Sequence, residues 1–127
     1  VDHESVDEAL SMTETRVRSY YDLVDRGDIT RLVQLFAEDA VYQRPGYPPI
    51  RGRGELERFY REERVIKSGR HTVESVMSSP SRVAVTGSFA GTLHGGQDVT
   101  LRFADFFNFG DDGKFSRRDT YFFTPLV

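Results

Sequence analysis

The sequence predicts an α+β fold in which helices cover one face of a curved, mainly antiparallel sheet. The first half of the chain repeats its apolar residues three and four apart, the helical period. The second half changes to long stretches of alternating residues separated by short turns rich in Gly, Ser, Asp and Asn-like formers. The resulting order is helix, helix, strand, helix, then four strands, which sets three N-terminal helices against a meander. A bent sheet closed over by helices encloses a cone, and such spaces are mostly apolar with a few polar groups inside.

Each element has its own signal. Residues 1–10 are polar and acidic with weak periodicity, and read as an N-terminal extension, either loose or adding a helical turn; residues 11–127 read as a single domain. Ser11 followed by Glu14 fits a capping box opening the first helix. That helix runs to about Arg26, with Val17, Tyr20, Tyr21 and Val24 on one stripe and Gly27 as its stop. Asp28 caps a second helix carrying Ile29, Leu32, Val33 and Phe36. Residues 40–44 read as a short strand, and Pro45, Gly46, Pro48 and Pro49 then make a rigid loop. Gly52 and Gly54 lead into a third helix with Leu56, Phe59 and Tyr60 as its buried stripe, and Gly69 is expected to end it. Four strands follow at 70–78, 82–93, 99–109 and 114–124, joined by turns short enough for an antiparallel meander.

Composition removes several function classes. The chain has 127 residues, no cysteine and a formal net charge of −3. A disulfide scaffold, a thiolate nucleophile and the common zinc motifs are therefore excluded. Nothing recommends nucleic acid or an anionic membrane as partner. His3, His71 and His94 have no metal-ligand spacing, so neither metal nor cofactor is expected. No apolar run reaches the roughly 20 residues that cross a bilayer, and no secretory signal is read at the start, so the expected location is the cytoplasm.

The third long strand, VTLRFADFFNF, is the most informative stretch. Its odd positions are Val99, Leu101, Phe103, Asp105, Phe107 and Phe109. Alternate residues face opposite sides of a sheet, so one carboxylate interrupts an apolar face. Such an acid pairs with a cation, accepts several hydrogen bonds, stays protonated, or sits where the strand bends out to solvent. The even row, with Thr100, Ala104, Phe106 and Asn108, suits a moderately polar homodimer interface.

The segments YYDLVDRGDITRLVQLFAEDAVYQRPG (20–46), RGRGELERFYRE (51–62) and ADFFNFGDDGKFSRRDTYFF (104–123) resemble the nuclear transport factor 2-like (NTF2-like) superfamily, in its SnoaL-like and ketosteroid-isomerase-like branch. The resemblance implies a cone-shaped, cystatin-like fold that serves enzymes, binding proteins and assembly domains alike. It places Tyr20, seven residues before Gly27, and Asp105, shortly before Gly113-Lys114, at the positions of the isomerase's oxyanion hole. In that enzyme the Asp is held protonated by apolar surroundings. The position of the isomerase's general base, counted from Asp39-Ala40, is Arg44, which stays protonated and cannot abstract a carbon-bound proton. The expected arrangement is therefore an Arg44–Asp105 charge pair beside Tyr20. The three are expected to catalyse by acid–base or oxyanion stabilisation, with Arg44 clamping a carboxylate or enolate oxygen and Asp105 orienting Arg44 or acting as base.

Phe59, Phe103 and Phe107 are expected to line one cavity with Tyr20 and Asp105, and Tyr60 and Arg118 are further candidate substrate contacts. The sequence leaves open whether the row of Arg118, Thr120 and Phe122 or that of Asp119, Tyr121 and Phe123 faces inward. Tyr42, Tyr47 and Tyr60 read as wall or loop aromatics, His94 as solvated, and His71 as a rim residue or, less favoured, a base. Some epoxide-hydrolysing relatives carry an Arg/Asp pattern on the last strand; here its final acid is replaced by Phe123. The expected ligand is a small apolar or aromatic molecule bearing a carbonyl or hydroxyl. The expected chemistry is isomerisation, cyclisation or dehydration without a cofactor; the alternative is a ligand-binding or dimerisation module of the same fold.

Overall fold

The computed structural model describes residues 3–123. Helix α1 (His3–Arg26) and helix α2 (Ile29–Gln34) precede strand β1 (Phe36–Gln43) and the two-residue strand β2 (Ile50–Arg51). Helix α3 (Arg53–Arg58) widens into a single π-helical turn (Phe59–Glu63). Strands β3 (Ile66–Ser78), β4 (Arg82–Leu93), β5 (Asp98–Phe109) and β6 (Phe115–Phe122) follow. They form one six-stranded sheet in the order β2-β1-β6-β5-β4-β3. The last four strands are the antiparallel meander that the turns required, whereas β1 joins β6 in parallel. Register shifts in the β3–β4, β1–β6 and β5–β6 pairings bend the sheet around the helices.

Four sequence expectations are corrected. First, α1 does not open at Ser11: it runs unbroken from His3, because no Gly or Pro interrupts residues 3–26 and the local capping motif yields to continued helix. Second, α2 ends at Gln34, and β1 starts at Phe36, earlier than residue 40. Phe36 is drawn into the sheet by packing on Phe115, their ring centroids 5.1 Å apart. Third, β2 was hidden inside what reads as a proline loop; Ile50 and Arg51 pair with Tyr42 and Val41. Fourth, Gly69 lies inside β3 rather than ending a helix. A Cβ there would overlap Phe89 Cζ, and one at Gly91 would meet the same atom at 2.5 Å. These glycines let the Phe89 ring lie flat on the backbone, so their signal concerns close approach, not chain reversal. Residue 124, the end of the last predicted strand, lies outside the described residues.

The core sits between α1 and the concave face of the sheet. Val17, Tyr20, Tyr21 and Val24 of α1 are buried against Phe103 and Phe107 of β5 and Phe115 of β6. Gly27, at φ 72°, ends α1, and Asp28 caps α2 by accepting from the Arg31 amide. The tight joint folds α2 back beside α1 and starts β1 under the helices.

Candidate active site

β5 fixes the site by its alternation. Its odd residues turn inward, and Asp105 is 0% exposed between Phe103 and Phe107. Asp105 pairs across the ladder with Thr120, and Phe107 with Arg118. Arg118 is thus a diagonal neighbour of Asp105 on the same face, within reach of a long side chain. The ladder therefore turns the row of Arg118 and Thr120 inward, and both are buried.

Asp105 accepts from Arg118 Nη2 at 2.9 Å, from the Tyr21 hydroxyl at 2.5 Å and from Thr120 Oγ1. Every partner donates, so the site holds Asp105 as an acceptor and not as the neutral donor of an isomerase-like hole. The expected Arg44–Asp105 pair is corrected: Arg118 is the ion-pair partner. Arg44 lies just past the end of β1, where its guanidinium is caught between the rings of Tyr47 (4.0 Å) and Phe59 (4.2 Å). The expected neighbour of Asp105 on α1 is corrected likewise, from Tyr20 to Tyr21.

Arg118 also organises the tyrosines. Its Nη1 donates to the Tyr20 hydroxyl and, at 3.2 Å, to that of Tyr60, and those two hydroxyls lie 2.6 Å apart. The guanidinium carbon lies 4.5 Å from the ring centroids of both Tyr20 and Tyr42. Burial raises the Tyr20 and Tyr21 hydroxyls well above their usual range and pushes Tyr42 up to about 12, so all three stay protonated at neutral pH. Burial alone would lower Arg118, but Asp105 and the tyrosines outweigh it and hold the guanidinium charged. Whichever way the Tyr20–Tyr60 bond runs, one hydroxyl hydrogen is left over, and Arg118 Nε–H has no partner among the described residues either. A tyrosine hydroxyl is therefore spare, whereas Arg118 Nε is sealed from solvent.

These groups floor a cavity of about 260 Å³. Tyr20, Tyr42, Tyr60, Arg118 and Thr120 line it below; Phe59, Phe89, Leu101 and Phe103 supply apolar walls; Pro45, Tyr47, Val65 and Phe122 rim the mouth. Of the eight candidate residues, Tyr20, Arg44, Phe59, Tyr60, Phe103 and Arg118 line this cavity. Asp105 and Phe107 do not, which corrects the expectation that both face the ligand space. They lie behind Arg118, whose guanidinium carbon is 5.6 Å from the Phe107 ring. The π-helical turn brings Phe59, Tyr60 and Arg64 to the cavity together, with the Arg64 amide bonded to the Phe59 carbonyl at 2.8 Å.

His71 corrects the rim reading. It sits in β3, lines the cavity and packs on Phe89 at 4.6 Å between centroids. Its Nδ1 is 2.6 Å from Asp25 Oδ1, and its amide donates to Asp25 Oδ2 at 2.8 Å. Burial lowers the imidazole below its ordinary 6.5, partly opposed by Asp25. A neutral ring facing a carboxylate carries its proton on Nδ1, which leaves the lone pair on Nε2. Sequence reading passed over Asp25 because it stands in the polar end of α1, 46 residues from His71. Among the described residues no cluster of three His, Asp or Glu is placed to hold a metal.

The chain belongs to the SnoaL-like domain family, whose model matches residues 17–118. Its fold is similar to that of an NTF2-like protein of unknown function from Burkholderia pseudomallei (TM-score 0.80, 22% identity, 88% of this chain and 91% of that one). It is also similar to the epoxide hydrolase/cyclase-like enzyme SalBIII, of pyran ring formation in the polyether salinomycin (TM-score 0.78, 18% identity, 88% and 91%). A third similar structure is a polyketide cyclase candidate from Xanthomonas campestris pv. campestris (TM-score 0.75, 21% identity, 89% and 91%). In sequence, 52 residues are 40% identical to the orange carotenoid-binding protein of Limnospira maxima, covering 41% of this chain but only 16% of that relative. No helix among the described residues is long and apolar enough to cross a membrane.

Proposed function

We propose that the cavity catalyses proton transfer next to a carbonyl on an apolar ring compound, the step shared by isomerisation, aldol cyclisation and dehydration. The observation that carries this reading is the spare hydroxyl of the Tyr20–Tyr60 couple, held against the Arg118 guanidinium in a cavity that His71 also lines. The carbonyl oxygen takes the spare hydroxyl, to which Arg118 donates and lends its charge, and that bond gains most when the oxygen becomes an enolate. His71 Nε2 takes the proton from the adjacent carbon, and Asp25 holds the ring and stabilises the imidazolium that forms. Returning the proton to another carbon isomerises; expelling a β-hydroxyl dehydrates; attack of the enolate on a second carbonyl cyclises. No step calls for a cofactor.

All these outcomes begin with loss of an α-hydrogen, so one assay covers them. The native protein is expected to accelerate exchange of the α-hydrogens of 2-tetralone into deuterated water, followed by proton NMR. The Tyr20→Phe, Tyr60→Phe double variant, which removes the spare hydroxyl whichever tyrosine carries it, is expected to slow it by about 10²-fold, the cost of one oxyanion donor. A ketone that binds without faster exchange would overturn the enzymatic reading in favour of a ligand-binding module. The likeness to the orange carotenoid-binding protein is the observation favouring that second reading.

The outer sheet face carries Phe106 packed edge-on against Tyr121, with Met77 75% and Tyr121 57% exposed. We infer a homodimer through this face; a single monomer mass by light scattering at micromolar concentration would contradict it.

A further inference from the structure

We propose that the ligand of this cavity carries an anionic group, a carboxylate, which Arg44 binds in the plane between Tyr47 and Phe59. The inference deepens the proposed function, since it names the kind of ring compound the proton-transfer groups receive. It rests on charge that the protein leaves uncompensated. Arg44, Arg64 and Arg118 all line the cavity, and among the described residues no carboxylate does. The ion pairs of the described residues engage Arg118, through Asp105 behind it, but neither Arg44 nor Arg64. The fourth basic group on the wall, His71, is held neutral by burial, so it adds no positive charge.

Arg44 is built for a planar acceptor. Its guanidinium carbon lies over the rings of Tyr47 (4.0 Å) and Phe59 (4.2 Å), which leaves hydrogen bonding to the N–H groups around it. Its Nε is sealed from solvent and has no partner among the described residues. Its two Nη groups are not sealed off and make no hydrogen bond among the described residues, and a carboxylate meeting both in parallel is the acceptor whose geometry fits. Lys at this place would supply charge without the fork. Position agrees: Arg44 follows β1 at the side where Pro45 and Tyr47 rim the mouth, whereas Arg118 pairs with Tyr42 deeper on the same edge. A ligand held by its carboxylate near the mouth would send its apolar body inward past Phe59 and Phe103. At about 260 Å³ the cavity is near the small end for organic ligands, so one or two fused rings suit it.

The test compares 2-naphthoate with 2-naphthalenemethanol, which has the same rings and no charge, by calorimetry on the native protein and on Arg44→Met and Arg44→Lys. The expected result is naphthoate binding at least about tenfold tighter to the native protein, the preference falling to within about twofold in Arg44→Met and partly retained in Arg44→Lys. Equal affinities in the native protein, an undiminished preference in Arg44→Met, or no binding of either compound would each overturn the proposal. Exchange of 2-tetralone without anion preference would remove the carboxylate and leave the proposed function standing. Anion preference without exchange would support the carboxylate and remove the enzyme.

Discussion

Two carboxylates anchor ionisable partners against helix α1, and their surroundings differ. Asp105 is wholly buried, accepts from three donors and faces a guanidinium that cannot release its proton. Asp25 is at the end of α1 with its side chain 20% exposed, and faces an imidazole whose side chain is 9% exposed. Tyr21 lies between them, its hydroxyl on Asp105 and its ring 5.2 Å from that of His71. One helical face thus serves a fixed charge pair and a titratable one. The first can orient donors but not move a proton; the second can move one. A single acid on an apolar strand face therefore does not make a catalytic acid, because what its partner can release decides the chemistry.

The largest expected effect falls on the titratable pair. His71→Gln removes the proposed base and should slow α-hydrogen exchange by about 10²–10⁴-fold. Asp25→Asn should slow it in the same direction, because an amide at that place frees the ring to adopt the other tautomer. A rate unchanged in both variants would erase the distinction between the two pairs.

Next comes the fixed pair, where the expected effect is on stability. Arg118→Met leaves Asp105 buried without its cation, a loss of about 3–5 kcal/mol by urea unfolding. The Arg118→Met, Asp105→Asn double variant should recover part of it, since the unpaired charge is gone. A loss below about 1 kcal/mol in the single variant would show that water reaches Asp105.

Gly69→Ala gives a smaller effect, because the new methyl meets the Phe89 ring and the Ala90 carbonyl at 2.8 Å. About 1–3 kcal/mol of destabilisation is expected. Displacement of Phe89 should also disturb His71, which packs on it, and the His71 ring signals are the check.

The smallest effect is on pH. His71 has a lowered folded value, so between that value and 6.5 the unfolded chain binds more protons than the native one. Its contribution to stability is complete above 6.5 and is lost as pH falls through the folded value. The slope of unfolding free energy against pH in that window should flatten in His71→Gln.

The particular residues show what a sequence can reveal of such a molecule. Alternation along 99–109 placed Asp105 inside without any structure, and the turn residues gave the meander. The identity of its partner was not legible, because it depends on a diagonal across the β5–β6 ladder whose register no local pattern reports. Arg44 occupied the aligned base position, yet the proline loop that follows supplies Tyr47, and that ring with Phe59 captures the guanidinium. Ser11 and Gly69 misled for the same reason: cap and stop preferences of about 1 kcal/mol yield to a continuous helix and to the packing of Phe89. The Asp25–His71 pair joins a helix end to a strand far along the chain, so only the closed fold brings it together.

The most direct measurement is the nitrogen NMR spectrum of His71 across pH in the ligand-free native protein. The expected result is a neutral ring at pH 7 with the proton on Nδ1 and the lone pair on Nε2, gaining its second proton below pH 6.5. A ring protonated on Nε2 at pH 7, or an imidazolium still present there, would contradict a base at His71 and reduce the cavity to a binding site.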